Sequence, residues 1–131
     1  MGEKSKRPSL SVASKLPLGT ITESVIKRHI VTYLKFRGIF CWVQMNVGIY
    51  DASQGKYRAL NQFGAIKGVS DILGIYKGRP LAIEVKTAKG VVSEHQKEFL
   101  IRFQAAGGIS FVARSVDDVV KKLELVDSGH Y

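Results

Sequence analysis

The chain has 131 residues, 45% of them hydrophobic and 24% charged, with a net charge of +9 and a pI near 9.8. That length suits one domain with a true core and excludes two. The charge points to a polyanionic partner, nucleic acid first, and the lack of a strong basic amphipathic helix sets an anionic membrane surface behind it. No stretch reaches the roughly 18 apolar residues of a membrane span. The basic opening lacks the apolar core of a signal peptide. Cys41, the single cysteine, has no internal disulfide partner and reads as a small buried hydrophobe. The expectation is an intracellular protein without membrane attachment, in a cytoplasm or nucleoid, or in a host cytoplasm were the chain viral.

Residues 1–19 are rich in Ser, Lys and Pro and carry no periodicity. They read as a flexible basic arm with Lys4, Lys6, Arg7 and Lys15, either adding phosphate contacts or simply solvated. The folded domain is expected over residues 20–126. Thr20-Ile21-Thr22-Glu23 has the form of a capping box, predicting a helix to about Arg37 that Gly38 stops. Its apolar stripe is Ile26, Ile30 and Tyr33/Leu34. Glu23 heads that stripe and has two readings, a helix cap or a carboxylate aimed inward.

The β-rich run from Ile39 to Val47 predicts the first strand. From Gly48 to Lys67 the sequence reads as one long Gly-rich polar loop with Tyr50, Lys56, Tyr57, Arg58 and Gln62. Aromatic residues among cations suit a nucleic-acid surface, so Lys56, Tyr57, Arg58, Lys67 and, further on, Lys89 are candidate DNA contacts. A solvated loop is the plainer alternative.

The stretch Gly68–Gln96 carries the chemistry. Asp71 opens one apolar strand, and Leu81 to Lys86 forms the next, with Lys77-Gly78-Arg79-Pro80 as the turn. Alternation sends Leu81, Ile83 and Val85 to one face and Ala82, Glu84 and Lys86 to the other. A two-residue loop at Gly78-Arg79 would set Leu73 opposite Glu84 and Asp71 opposite Lys86. Ala88-Lys89-Gly90 is a turn, and Ser93-Glu94-His95-Gln96 is a second capping box, opening a helix that ends at Gly107-Gly108. Gln96, Phe99/Leu100 and Phe103 share one face of it. Ile109 to Ala113 is a short buried strand. A last helix runs from Val116 to about Leu125, and residues 127–131 are expected to fray. The order is α-β-β-β-α-β-α.

Two carboxylates with a lysine on one face suit a hard divalent cation such as Mg²⁺, which takes oxygen ligands and generates a nucleophile from water near neutral pH. Lys86 would orient that water or offset charge developing on a phosphate. The structural alternative is a buried salt bridge between Lys86 and Glu84 or Asp71. His29, His95 and His130 match no zinc spacing and read as surface residues.

Asp71 followed by Glu84-Val85-Lys86 resembles the D…(D/E)-x-K signature of the PD-(D/E)XK nucleases. More narrowly, Glu23, Gly68-Val69-Ser70-Asp71, Ile83-Glu84-Val85-Lys86, Ser93, Gln96, Gly107-Gly108 and Val112-Ala113-Arg114-Ser115 together resemble a stand-alone VRR-NUC domain, over roughly Thr20 to Leu125. The resemblance implies an α/β, restriction-endonuclease-like α-β-β-β-α-β core with a mixed central sheet flanked by helices. It also implies a Mg²⁺- or Mn²⁺-dependent, structure-selective DNA endonuclease acting on four-way junctions as a homodimer. Carried over by position, Asp71 and Glu84 are metal ligands, with the backbone carbonyl of Val85 and Glu23 beside them. Lys86 is then the catalytic lysine and Gln96 a polar neighbour of the site. Ser70 stands where the superfamily's name has proline. The competing readings are a nuclease for flaps, nicks or plain duplex, and a non-catalytic nucleic-acid-binding module on the same scaffold.

Overall fold

The computed structural model describes residues 21–45, 49–58 and 64–131. The basic arm, Thr20, residues 46–48 and residues 59–63 with Gln62 lie outside them, as do the side chains of Tyr50, Tyr57 and Arg58. The described elements run α1 (Glu23–Phe36), β1 (Phe40–Val43), β2 (Ile49–Asp51), β3 (Lys56–Arg58), β4 (Ile72–Tyr76), β5 (Arg79–Val85), α2 (Glu94–Ala105), β6 (Ile109–Ala113) and α3 (Val116–Asp127). This is an α/β fold with a four-stranded mixed sheet in the order β1-β4-β5-β6. The pairings are antiparallel except between β5 and β6, which the α2 crossover makes parallel.

Alternation decides what each sheet face meets. Ile72, Leu81, Ile83, Val85, Ile109, Phe111 and Ala113 form the core with Ile26, Ile30 and Leu34 of α1 and Val119 and Leu123 of α3. Helix α2 covers the other face over β5 and β6, where the Ser110 hydroxyl donates to the Leu100 carbonyl at 2.7 Å. Strand β5 is therefore buried on both sides from Leu81 to Val85, which is how a carboxylate at Glu84 comes to lie deep in the protein. Cys41 is buried, and burial pushes its thiol up, away from reactivity.

Each helix starts where a short polar side chain satisfies free backbone N–H groups. Ser93 and Gln96 form the expected capping box, with Ser93 Oγ accepting from Gln96 N at 3.2 Å and Gln96 Oε1 from Ser93 N at 2.9 Å. Ser93→Ala should lower stability by about 1 kcal/mol in denaturant melts, since it leaves the Gln96 N–H without its acceptor. Helix α1 differs from its predicted start. Thr22 is its N-cap, accepting from Val25 N at 3.3 Å, so Glu23 is the first helical residue rather than the third of a box begun at Thr20.

Three further expectations change. The region taken as one loop holds the β2–β3 hairpin, whose turn is set by Asp51 accepting from Ser53 and by Gly55 at φ +66°. The first strand is shorter than predicted and ends at Val43. The chain end is docked rather than frayed: Arg79 Nη1 donates to the Tyr131 carbonyl at 3.0 Å, and the Tyr131 ring packs edge-on against Phe111.

The β4–β5 register also differs. The turn residues are Lys77 and Gly78, with φ of +49° and +83°, matching a type I′ hairpin, and Tyr76 pairs with Arg79. Against the predicted Gly78-Arg79 loop this is a slip of two residues, which keeps every side chain on its expected face. What changes is the partner. One step beyond the Ile72↔Ile83 pair, Asp71 comes opposite Glu84, not Lys86.

Candidate active site

Asp71 enters β4 with its carboxylate fixed by the neighbouring strand, since Oδ2 accepts from Val85 N at 2.8 Å. Its other oxygen lies 3.5 Å from Lys27 Nζ on α1. Glu84 is 2% exposed. One oxygen, Oε2, is 3.8 Å from Lys86 Nζ, at the outer limit of an ion pair, and the other, Oε1, has no hydrogen-bond partner. Burial, first, then the neighbouring Asp71 carboxylate, push the Glu84 carboxyl up to about 8. Lys86 pulls the other way, and Glu23 adds a smaller upward push. Facing carboxylates in a dry setting are a poor structural choice but a good cation trap.

Ser70 is fully buried and its Oγ also lacks a partner. Among the described residues, Ser70 Oγ and Glu84 Oε1 are the buried side-chain oxygens left unmatched, and both belong to the Asp71–Glu84 end of the hairpin. Unmet polar groups of this kind each cost about 1–3 kcal/mol and gather where function outweighs stability.

The sequence-predicted residues divide accordingly. Asp71, Glu84 and Lys86 are brought together. Glu23 is close enough to raise the proton affinity of Glu84, yet among the described residues no three His, Cys, Asp or Glu are grouped to hold an ion. Gln96 caps α2, and its N–H edge lies against Gly68: a Cβ on Gly68 would sit 2.3 Å from the His95 carbonyl oxygen and 2.7 Å from Gln96 N. Val85 contributes its N–H to Asp71. Lys56, Lys67 and Lys89 are exposed. His29, His95 and His130 are exposed too.

Lys27 was missed, and Arg114, named only within the resemblance, was given no role. Lys27 lies four residues after Glu23, the spacing at which helix side chains meet, and that was its available signal. Arg114 follows β6 and donates through Nη1 to the carbonyls of Thr87 at 2.6 Å, Gly90 at 2.8 Å and Ala88 at 3.3 Å. It ties down the loop leaving Lys86, whose own N–H donates to the Ala113 carbonyl at 3.1 Å. Only the fold brings those carbonyls to Arg114.

A hard divalent ion needs one or two carboxylates, with waters and substrate filling its remaining positions. Asp71 and the unmatched oxygen of Glu84 fit that donor set.

The site is thus a mixed α/β sheet that brings two facing acids and a lysine together at the end of a hairpin. The model of the VRR-NUC domain matches residues 44–117, more than half the sequence, so the chain belongs to the VRR-NUC family, a nucleic-acid-binding family of nuclease type. Among solved structures, a VRR_NUC domain protein superimposes with a TM-score of 0.57 at 18% identity, covering 79% of this chain and 86% of that one, which supports the same fold. A comparison with curated proteins gives no match. Among the described residues no helix is long and apolar enough to cross a membrane.

Proposed function

We propose that the chain is a metal-dependent DNA endonuclease of PD-(D/E)XK type that hydrolyses phosphodiester bonds in branched DNA, four-way junctions foremost, as a homodimer. The observation that carries this reading is Glu84, held 2% exposed against Asp71 with one oxygen unmatched. Asp71 and Glu84 would hold Mg²⁺ or Mn²⁺. When bound, the ion polarises the phosphodiester and supplies an activated water.

The chain's own residues prepare the rest. The Val85 N–H fixes the carboxylate plane of Asp71. Lys86, with its side chain 14% exposed, presents an ammonium to charge building on the phosphate from a largely dry position, where such a charge acts strongly. Arg114 keeps the loop beyond it from drifting. Glu84 must shed its proton to serve as a ligand, so metal affinity should rise with pH until about 8. The homodimer belongs to the junction reading, because a four-way junction offers two symmetry-related phosphates and a two-fold assembly offers two sites.

The test incubates the protein with labelled four-way junctions and matched linear duplex in Mg²⁺, Mn²⁺ or EDTA, beside Asp71→Asn. Symmetric, metal-dependent nicks in the junction are expected, reduced at least a hundredfold in the variant. Equal cutting of duplex would remove junction selectivity. Binding without scission in every metal would leave a non-catalytic module.

A further inference from the structure

A cleft of about 230 Å³ lies between the segment leading into β4 and helix α2, lined by Ile66 and Lys67 on one wall and His95, Phe99, Arg102 and Phe103 on the other. Helix α2 has no fully buried residue. Its two phenylalanines are only half-buried, with ring centroids 5.5 Å apart. Lys67 and Arg102 are exposed cations, and Glu98 is the one acid in the lining. The cleft is smaller than the roughly 300 Å³ at which sites for drug-sized ligands begin. It therefore suits one flat ring system with a phosphate at its edge.

Its position is tied to the carboxylates. Lys67 adjoins Gly68, whose backbone is pressed against His95 and Gln96. From Gly68 to Asp71 is three residues, at most about 11 Å of chain. A strand with its scissile phosphate at Asp71 and Glu84 would pass this cleft within a nucleotide or a few.

We propose that the cleft receives one unpaired nucleotide of the substrate strand, its base stacked on Phe99 and its phosphate held by Lys67 and Arg102. This deepens the nuclease reading and rests on it for the identity of the strand. In an intact duplex both faces of each base are already stacked, so neither is free for Phe99. The substrate class that follows is DNA unpaired beside the cut, as at flaps and single-stranded ends; in a four-way junction the cleft requires a base pair at the crossover to open. Cations alone would grip any DNA through phosphate, whereas stacking on aromatic rings distinguishes unpaired bases without reading their sequence.

The experiment measures binding of the full chain in EDTA, by fluorescence anisotropy, to a labelled single strand and to the same sequence as blunt duplex. Phe99→Leu and Arg102→Ala should each weaken single-strand binding about tenfold, while duplex binding changes less than twofold. Phe99→Trp should hold or tighten the single strand. Arg102 is exposed, so its variant reads the cleft without disturbing the fold. Equal losses on both DNAs, or no loss on the single strand in either variant, would overturn the proposal. Because no metal is present, the assay reports on the cleft even for a chain that cuts nothing. A chain that cuts junctions yet binds single strands unchanged by these variants keeps the nuclease reading and loses this one.

Discussion

Glu84→Gln should abolish strand scission and make the protein more stable at alkaline pH. Loss of activity by at least a hundredfold to a thousandfold follows from removing a charged group at the reacting centre. The gain in stability follows from the raised Glu84 carboxyl. Its folded-state value of about 8 lies above the ordinary 4.5, so between those pH values the folded chain keeps a proton that the unfolded chain has released. Stability therefore falls as pH rises from about 4.5 through about 8, by an amount with a ceiling near 5 kcal/mol. Glutamine has nearly the same shape and carries no charge to bury. At pH 9 in EDTA the variant should melt about 5–10 °C above the parent, while at pH 4 the two should nearly coincide. Added Mg²⁺ should raise the parent's melting point and leave the variant's unchanged, because only the parent keeps both carboxylates. A variant less stable than the parent at pH 9 would sink the account of Glu84 as a strained ligand.

Gly68→Ala should be among the most damaging single-methyl changes in the described chain. Gly68 has φ +79°, where an L side chain already costs about 1–2 kcal/mol. Its added Cβ would also lie 2.3–2.7 Å from backbone atoms of His95 and Gln96, which have no rotamer into which to retreat. Together these should cost about 2–5 kcal/mol and lever the start of α2 away from the entry to β4. Gly38→Ala is the matched control. It has φ +72° but nothing within 4 Å of its Cβ, so it should lose only the backbone part. Chemical denaturation of the two variants separates strain from collision, and equal losses would refute the close approach.

Much of this architecture could be read from residue order, for physical reasons that differ from element to element. Ile26, Ile30 and Leu34 mark α1 because a buried stripe must repeat every three to four residues. Ser93 and Gln96 mark the start of α2 because few other pairs satisfy its free N–H groups. Alternation put Glu84 on the face opposite Ile83 and Val85. It could not set the hairpin's partners, since a slip of two conserves the faces, and the choice fell to the turn formed by Lys77 and Gly78. The juxtaposition of Asp71 with Glu84 was hidden for that reason. Strands β2 and β3 have three residues each, too few for a period to show. Lys27, Arg114 and the docking of Tyr131 depend on partners distant in sequence, with Arg79 and Tyr131 meeting across 52 positions.

The type I′ turn at Lys77-Gly78 has a consequence for how the molecule assembles. A two-residue loop joins β4 to β5, so the pairing that sets Asp71 beside Glu84 is local, whereas β6 reaches β5 only after α2 has been traversed. Local contacts close with little loss of chain entropy and tend to form early. The two acids are thus drawn together while the surrounding chain is still open and water can screen them. As α2 settles over β5 and expels that water, Glu84 takes up a proton below about pH 8 and faces Asp71 charged only above it. Electrostatic resistance therefore falls on the late docking of α2 at alkaline pH rather than on the hairpin.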